Sequence, residues 1–166
     1  SFVGQNLADQ DIVPLFFTTN PHDTPIPPLD PNNFINNIAW LPNPAGDPTV
    51  RVCSFVTLNP VPGLAFGMLT LSTTQSRGSI TINSADPLQP PVINLGILSN
   101  HQDLATYQNL LMVTLKNLNN SLQAIDPGYQ LIYSDPAILN DVDAVTEFIQ
   151  QNIISSQSFQ DHCRMA

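Results

Sequence analysis

The spacing of apolar residues changes once along this chain, and that change limits its fold more than any other feature. Up to residue 94 the apolar residues alternate or come in short runs, as strands require; beyond it they recur every three or four positions, as helices require. Residues 12–18 (Ile-Val-Pro-Leu-Phe-Phe-Thr) read as a strand, and Pro14 argues for an edge position because it cannot donate to a ladder. Residues 50–58 and 64–72 read as two further strands, with Gly67 where another backbone can come close. Residues 79–83 and 91–94 can pair across a turn at Asp86-Pro87. Residues 19–48 are loop-like and rich in Pro and Asn, with an ordered island at 34–41; a loop of that length is commonly a lid or a functional segment.

The helical period runs through Leu104, Tyr107, Leu111, Leu115, Leu118 and Leu122, about five turns. Ser99 or Asn100 can cap it, and Asp103 lies in the first turn, where the helix dipole favours an anion. Pro127-Gly128 breaks the chain. Asp141 can then cap a second helix whose apolar face is Val142, Val145, Phe148, Ile149 and Ile153. Strands first and helices second predict an α+β fold, an antiparallel sheet with helices packed on one face. The expected organisation is one domain, 1–166: strands mostly in 1–18 and 50–94, a loop or lid at 19–48, and helices mostly in 99–154.

Composition narrows the partners. A chain of 166 residues, 42% apolar, can build an ordinary core. Four Lys and Arg against thirteen Asp and Glu leave a net charge of −9. Nucleic acids and anionic membranes both need a positive footprint, so neither is an expected partner. No apolar run approaches the ~18 residues of a membrane span. The chain opens Ser1-Phe2-Val3-Gly4, in which no signal peptide is legible. A sequon at Asn119-Asn120-Ser121 suits a secretory protein, although it falls in a helical stretch. Secreted and cytoplasmic locations both stay open.

Metal and nucleotide motifs are missing from the pattern. His22, His101 and His162 are scattered, so no metal is expected. Asp141-Val142-Asp143 begins like a calcium loop but lacks the Gly and distal Glu, which leaves helix capping. Cys53 and Cys163 are either two buried thiols or one disulfide closing a long loop. The seven glycines cannot supply a Gly-x-Gly-x-x-Gly turn or a P-loop.

Three stretches carry a resemblance. Val3-Gly4-Gln5-Asn6-Leu7-Ala8-Asp9-Gln10 resembles the VGxNLxDH/Q segment of the glucose–methanol–choline (GMC) flavin oxidoreductases. Residues 76–87, Ser-Arg-Gly-Ser-Ile-Thr-Ile-Asn-Ser-Ala-Asp-Pro, continuing to Pro91-Val92-Ile93, resemble their SRGxVxLxSxDPxxxPxI stretch. Residues 159–166, Phe-Gln-Asp-His-Cys-Arg-Met-Ala, resemble their HxxGTCRMG segment. The three occur in the family's order and cover about half the chain; residues 19–63 do not match.

The resemblance implies the family's substrate-binding domain. It also implies that the flavin-binding half is missing from this sequence, that the spacing between the outer patches is shortened, and that no FAD is bound. The family's catalytic His lies five residues before the Cys of CRM, a position held here by Ser158. A flavoenzyme oxidising an alcohol needs a base and a flavin. The expected function is therefore cofactor-free: binding of an apolar small molecule, with a non-redox step (cyclisation, pericyclic rearrangement, isomerisation or elimination) in secondary metabolism. Such reactions gain mainly from holding a reactive pose and from one donor polarising a carbonyl. Two other readings remain: part of an FAD-dependent oxidoreductase completed by a second chain, and a non-catalytic binding or self-association domain, with a homodimer formed through the former flavin-facing surface.

Arg51 and His162 are the candidate catalytic donors; Trp40, Phe66, Met68, Tyr133 and Ser158 are the candidate substrate contacts. Each has a plainer account. Arg51 can be an exposed strand residue, Arg164 a structural ion-pair partner and His101 a solvated helix start. Trp40, Phe66 and Met68 can be core, and Ser158 can mark lost chemistry.

Overall fold

A computed structural model describes residues 3–18, 37–40, 53–61, 64–71, 73–125, 127–128, 130–131 and 136–159, with 37–40, 53–61, 64, 65, 114, 115, 118, 122, 125, 130, 131, 136 and 137 described by backbone alone. Two antiparallel sheets and a helical layer make up the fold. The larger sheet runs β3 (Asn37–Trp40), β4 (Cys53–Val61), β5 (Leu64–Leu71), β2 (Asp11–Thr18), β8 (Gln130–Leu131), with β9 (Ile154–Ser155) also on β2. The smaller sheet runs β1 (Gln5–Leu7), β6 (Gly78–Thr81), β7 (Val92–Asn94). The helices are α1 (His101–Asn109), a π-helical stretch Leu110–Leu115, α2 (Lys116–Ile125), a short 3-10 turn Pro136–Asn140 and α3 (Val142–Asn152).

β2 shows why the helices take one face. Its residues alternate strictly between buried and partly exposed, from Asp11 to Thr18. Val13, Leu15 and Phe17 share a core with Leu69 and Leu71 of β5, and with Tyr107, Leu110, Leu111, Leu139, Val145 and Ile149 of the helical layer. A strand with period-2 alternation can bury only one face well, and the amphipathic helices supply the cover. The fold is thus α+β, with an antiparallel sheet backed by helices on one side.

Several local expectations meet a different outcome. β2 is an interior strand: β5 pairs with it from Ile12 to Thr18, and β9 and β8 pair with its other side. Among the described residues, β9 pairs with Asp11 and Ile12, and β8 with Phe17 and Thr18. β3 lies within the loop-like residues 19–48, at the ordered island, and pairs with β4. The pairing of Ser79, Ile80 and Thr81 with Asn94, Ile93 and Val92 forms as the alternation predicts.

The long helix is not uniform. Residues 110–115 adopt π geometry, which takes up an extra residue and turns later positions around the axis. Leu110 is buried beside Leu111, and Asn119 is only 3% exposed. The sequon is therefore no surface acceptor in this fold. α3 starts as expected: Asp141 Oδ1 accepts the N–H groups of Asp143 and Ala144. Val142, however, is half-exposed, and the buried face is carried by Val145 and Ile149.

Tyr107 joins the layers. It is fully buried, and its hydroxyl donates to the main-chain oxygen of Asp11 at 2.7 Å. Tyr107→Phe keeps the ring and deletes that bond, so it should destabilise the fold by about 1 kcal/mol in denaturant unfolding.

Candidate functional site

The face of the large sheet opposite the helices is apolar and partly open. On β2 it presents Ile12, Pro14 and Phe16; on β5 it presents Phe66, Met68 and Thr70, all partly exposed. Pairing aligns Pro14 with Met68, Phe16 with Phe66 and Ile12 with Thr70. The Phe16 and Phe66 rings meet with centroids 4.8 Å apart and planes tilted by 55°. That geometry suits the positive edge of one ring against the face of the other. Ile154 of β9, paired with Ile12, extends the surface and is 51% exposed. On the far side, backbone register places Ser54 and then Trp40 in the row of Ile12 and Thr70.

Of the residues singled out from sequence, the structure brings Phe66 and Met68 together on this helix-free face, and sets the backbone of Trp40 in an adjoining strand row. Arg51, Tyr133, His162 and Arg164 lie outside the described residues. Ser158 is exposed, beyond the end of β9. His101 is exposed at the start of α1, where Asn100 supplies the cap by accepting the Gln102 N–H. Phe16 was missed. Residues 12–17 are an unbroken apolar run, so no alternation in the sequence marks Phe16; its facing follows only from the burial pattern of β2.

A polar cluster sits at the end of β2 next to β9, and sequence reasoning missed it entirely. Asp9, Asp11 and Asp103 are each at most 5% exposed. The Asp103 carboxylate accepts the Gln75 N–H at 2.9 and 3.0 Å and the Ser76 N–H at 2.7 Å. Asp9 accepts bonds from Ser155, Ser156 and Ser158. Asp11 Oδ1 is buried without a hydrogen-bond partner. Burial, then the Asp9 charge, then the Asp103 charge push the Asp11 carboxyl up to about 7. Among the described residues no group of three or more His, Cys, Asp or Glu is arranged to hold a metal ion.

The small sheet is built by close backbone approach. A Cβ on Gly4 would lie 2.1 Å from the Ile80 oxygen, on Gly78 2.0 Å from the Asn94 oxygen, and on Gly96 2.2 Å from the Arg77 oxygen. Main chain fills the space at all three, so none of them opens a cradle for a dinucleotide phosphate. The same sheet leaves apolar side chains uncovered: Val3, Ile82, Leu88, Val92 and Ile93 are all at least half-exposed.

An antiparallel sheet backed on one face by helices, with partly exposed side chains on the other among the described residues and a Ser-Arg-Gly hairpin leading into a capped helix, defines a substrate-binding domain of the GMC type. The family model described as GMC oxidoreductase matches residues 74–166, more than half the chain, and the chain belongs to that family. It is 25% identical over 123 residues to the glucose methanol choline oxidoreductase atC of Aspergillus terreus strain NIH 2624, covering 74% of this chain and 18% of that protein. The fold matches the crystal structure of pyridoxine 4-oxidase from Mesorbium loti with a TM-score of 0.75 at 15% identity, over 99% of this chain and 33% of that one. It also matches a crystal structure of formate oxidase with a TM-score of 0.70 at 14% identity, over 98% of this chain and 38% of that one. The chain thus spans well under half the length of the relatives it matches.

Proposed function

We propose that this chain acts as a GMC-type substrate-binding domain that takes a small, largely apolar molecule on the helix-free face of its larger sheet. The contact of Phe16 with Phe66 carries the reading. Two partly exposed aromatic rings, flanked by Pro14, Met68, Ile12 and Ile154, offer a flat apolar floor with few charges, which favours a ligand of the same character. Ser158 stands where the family's base stands, and a serine hydroxyl has little basicity near neutral pH. The chemistry best suited to such a floor is a cofactor-free, non-redox step such as cyclisation, pericyclic rearrangement, isomerisation or elimination. Arg51 and His162 are the donors proposed to polarise the substrate, with Tyr133 a further substrate contact.

Titration with an apolar fluorescent dye tests the floor. Phe66→Ala should weaken dye binding about tenfold, the worth of one aromatic contact area, whereas Leu88→Ala, in the turn between β6 and β7, should leave it unchanged. Equal affinities for wild type and Phe66→Ala would remove the helix-free face as the site.

A second reading draws on the uncovered apolar side chains of the small sheet and on relatives about three times as long. In it, a flavin-bearing nucleotide domain covers Ile82, Leu88, Val92 and Ile93. A flavin absorption band that co-purifies with the native protein would support this reading and end the cofactor-free one. A colourless dimer in light scattering would instead mean that a second copy covers the surface.

A further inference from the structure

We infer that Asp9 is the positioning residue of the proposed site: its carboxylate sets the course of residues 155–158 and so the place of residue 158. The inference rests on the sheet-face reading above and adds the group that anchors one end of that face. Asp9 is 5% exposed, two residues ahead of β2. Its Oδ2 accepts the Ser155 hydroxyl; its Oδ1 accepts the Ser158 N–H at 2.9 Å and the Ser156 hydroxyl at 3.4 Å. The neighbouring Gln10 oxygen accepts the Ser156 N–H at 3.2 Å. Thr74, at the start of the Ser-Arg-Gly segment, donates its hydroxyl to the Asp9 main-chain oxygen at 3.1 Å, which ties the anchor to a second part of the fold.

The backbone between these bonds supplies an independent observation. Gln157 adopts φ +61, a left-handed conformation that costs a residue with a Cβ about 1 kcal/mol or more. Such a conformation persists where the flanking groups over-determine it. Here Asp9 bonds the residues on both sides of Gln157, and the Gln157 N–H itself donates to the Ser155 hydroxyl at 3.0 Å. β9 starts at Ile154, paired with Ile12 on the helix-free face, so a tight turn at 157 sets where residue 158 stands relative to the floor. Carboxylate oxygens accept, and the described groups that meet Asp9 there, the Ser155 and Ser156 hydroxyls and the Ser158 N–H, all donate.

Amide hydrogen exchange on the full chain, paired with the dye titration, tests this. Asp9→Ala should speed exchange at the Ser158 amide about tenfold, the loss of one charge-assisted hydrogen bond, while amides of Val145 to Ile149 stay within about twofold. Asp9→Asn keeps an oxygen for Ser158 and can donate to the Ser155 hydroxyl, so it should restore most of the protection. Ser155→Ala, a milder change, should speed Ser158 about threefold with the fold intact. Unchanged exchange at Ser158 in Asp9→Ala or Ser155→Ala, or equal acceleration across α3 and β5, would overturn the inference. So would wild-type dye affinity in an Asp9→Ala chain whose Ser158 amide has been released. Exchange needs no ligand: a wild-type chain that binds no dye counts against the sheet-face reading, while the exchange result still decides the role of Asp9.

Discussion

Asp11→Asn should flatten a fall in folding stability that the native protein shows between about pH 4 and pH 7. Asp11 is 3% exposed, and one of its oxygens has no partner. Burial first, then the charges of Asp9 and Asp103, raise its carboxyl from the usual 3.8 to about 7. The sign follows from proton counts. Between those two values the unfolded chain has released the proton and the folded chain still holds it. The folded state binds more protons there, so stability falls as pH rises, and the loss is complete above the folded value. An interval from 3.8 to about 7 corresponds to about 4 kcal/mol at most. Urea unfolding midpoints across that range should therefore drop in the native protein and stay level in Asp11→Asn, which should be the more stable of the two at pH 8. Parallel curves would show that another group titrates.

Asp103→Ala should cost about 3 kcal/mol, and the size of the loss decides what Asp103 does. An acid in the first turn of a helix contributes about 0.3–1 kcal/mol through the dipole alone. The structure gives Asp103 more than that: it lies 4% exposed and accepts the N–H groups of Gln75 and Ser76, which join β5 to β6. Removing it leaves the buried Ser76 N–H without an acceptor. A drop in denaturant midpoint with an unchanged m-value would report this loss. A cost under about 1 kcal/mol would reduce Asp103 to a helix-dipole residue.

These two aspartates also show where sequence reading stopped. Local pattern was legible: the β6–β7 pairing and the Asp141 cap follow from residues close to one another in sequence, whereas the facing of β2 does not, because residues 12–17 are an unbroken apolar run. Pro14 misled because an edge is the usual place for a missing donor. Nothing local announces that β8 and β9, more than a hundred residues later, pair with the side of β2 away from β5. The π-helical stretch was hidden for a similar reason, since the leucine spacing across residues 110–115 fits an ordinary helix. Of the site, Phe66 and Met68 were visible as apolar residues in a strand, while the choice of face depended on which side the helices cover. The Asp9–Ser158 bond spans 149 positions and leaves no periodic trace.

Gly4, Gly78 and Gly96 carry a consequence for descent. Each presses against a carbonyl oxygen at a distance no side chain tolerates, and two of them belong to the stretches by which this chain resembles its relatives. Those signatures are therefore policed by main-chain crowding, whatever reaction is performed nearby. A chain can wear the family's badge on this packing alone, because the badge certifies how the hairpin closes and says nothing about what it catalyses.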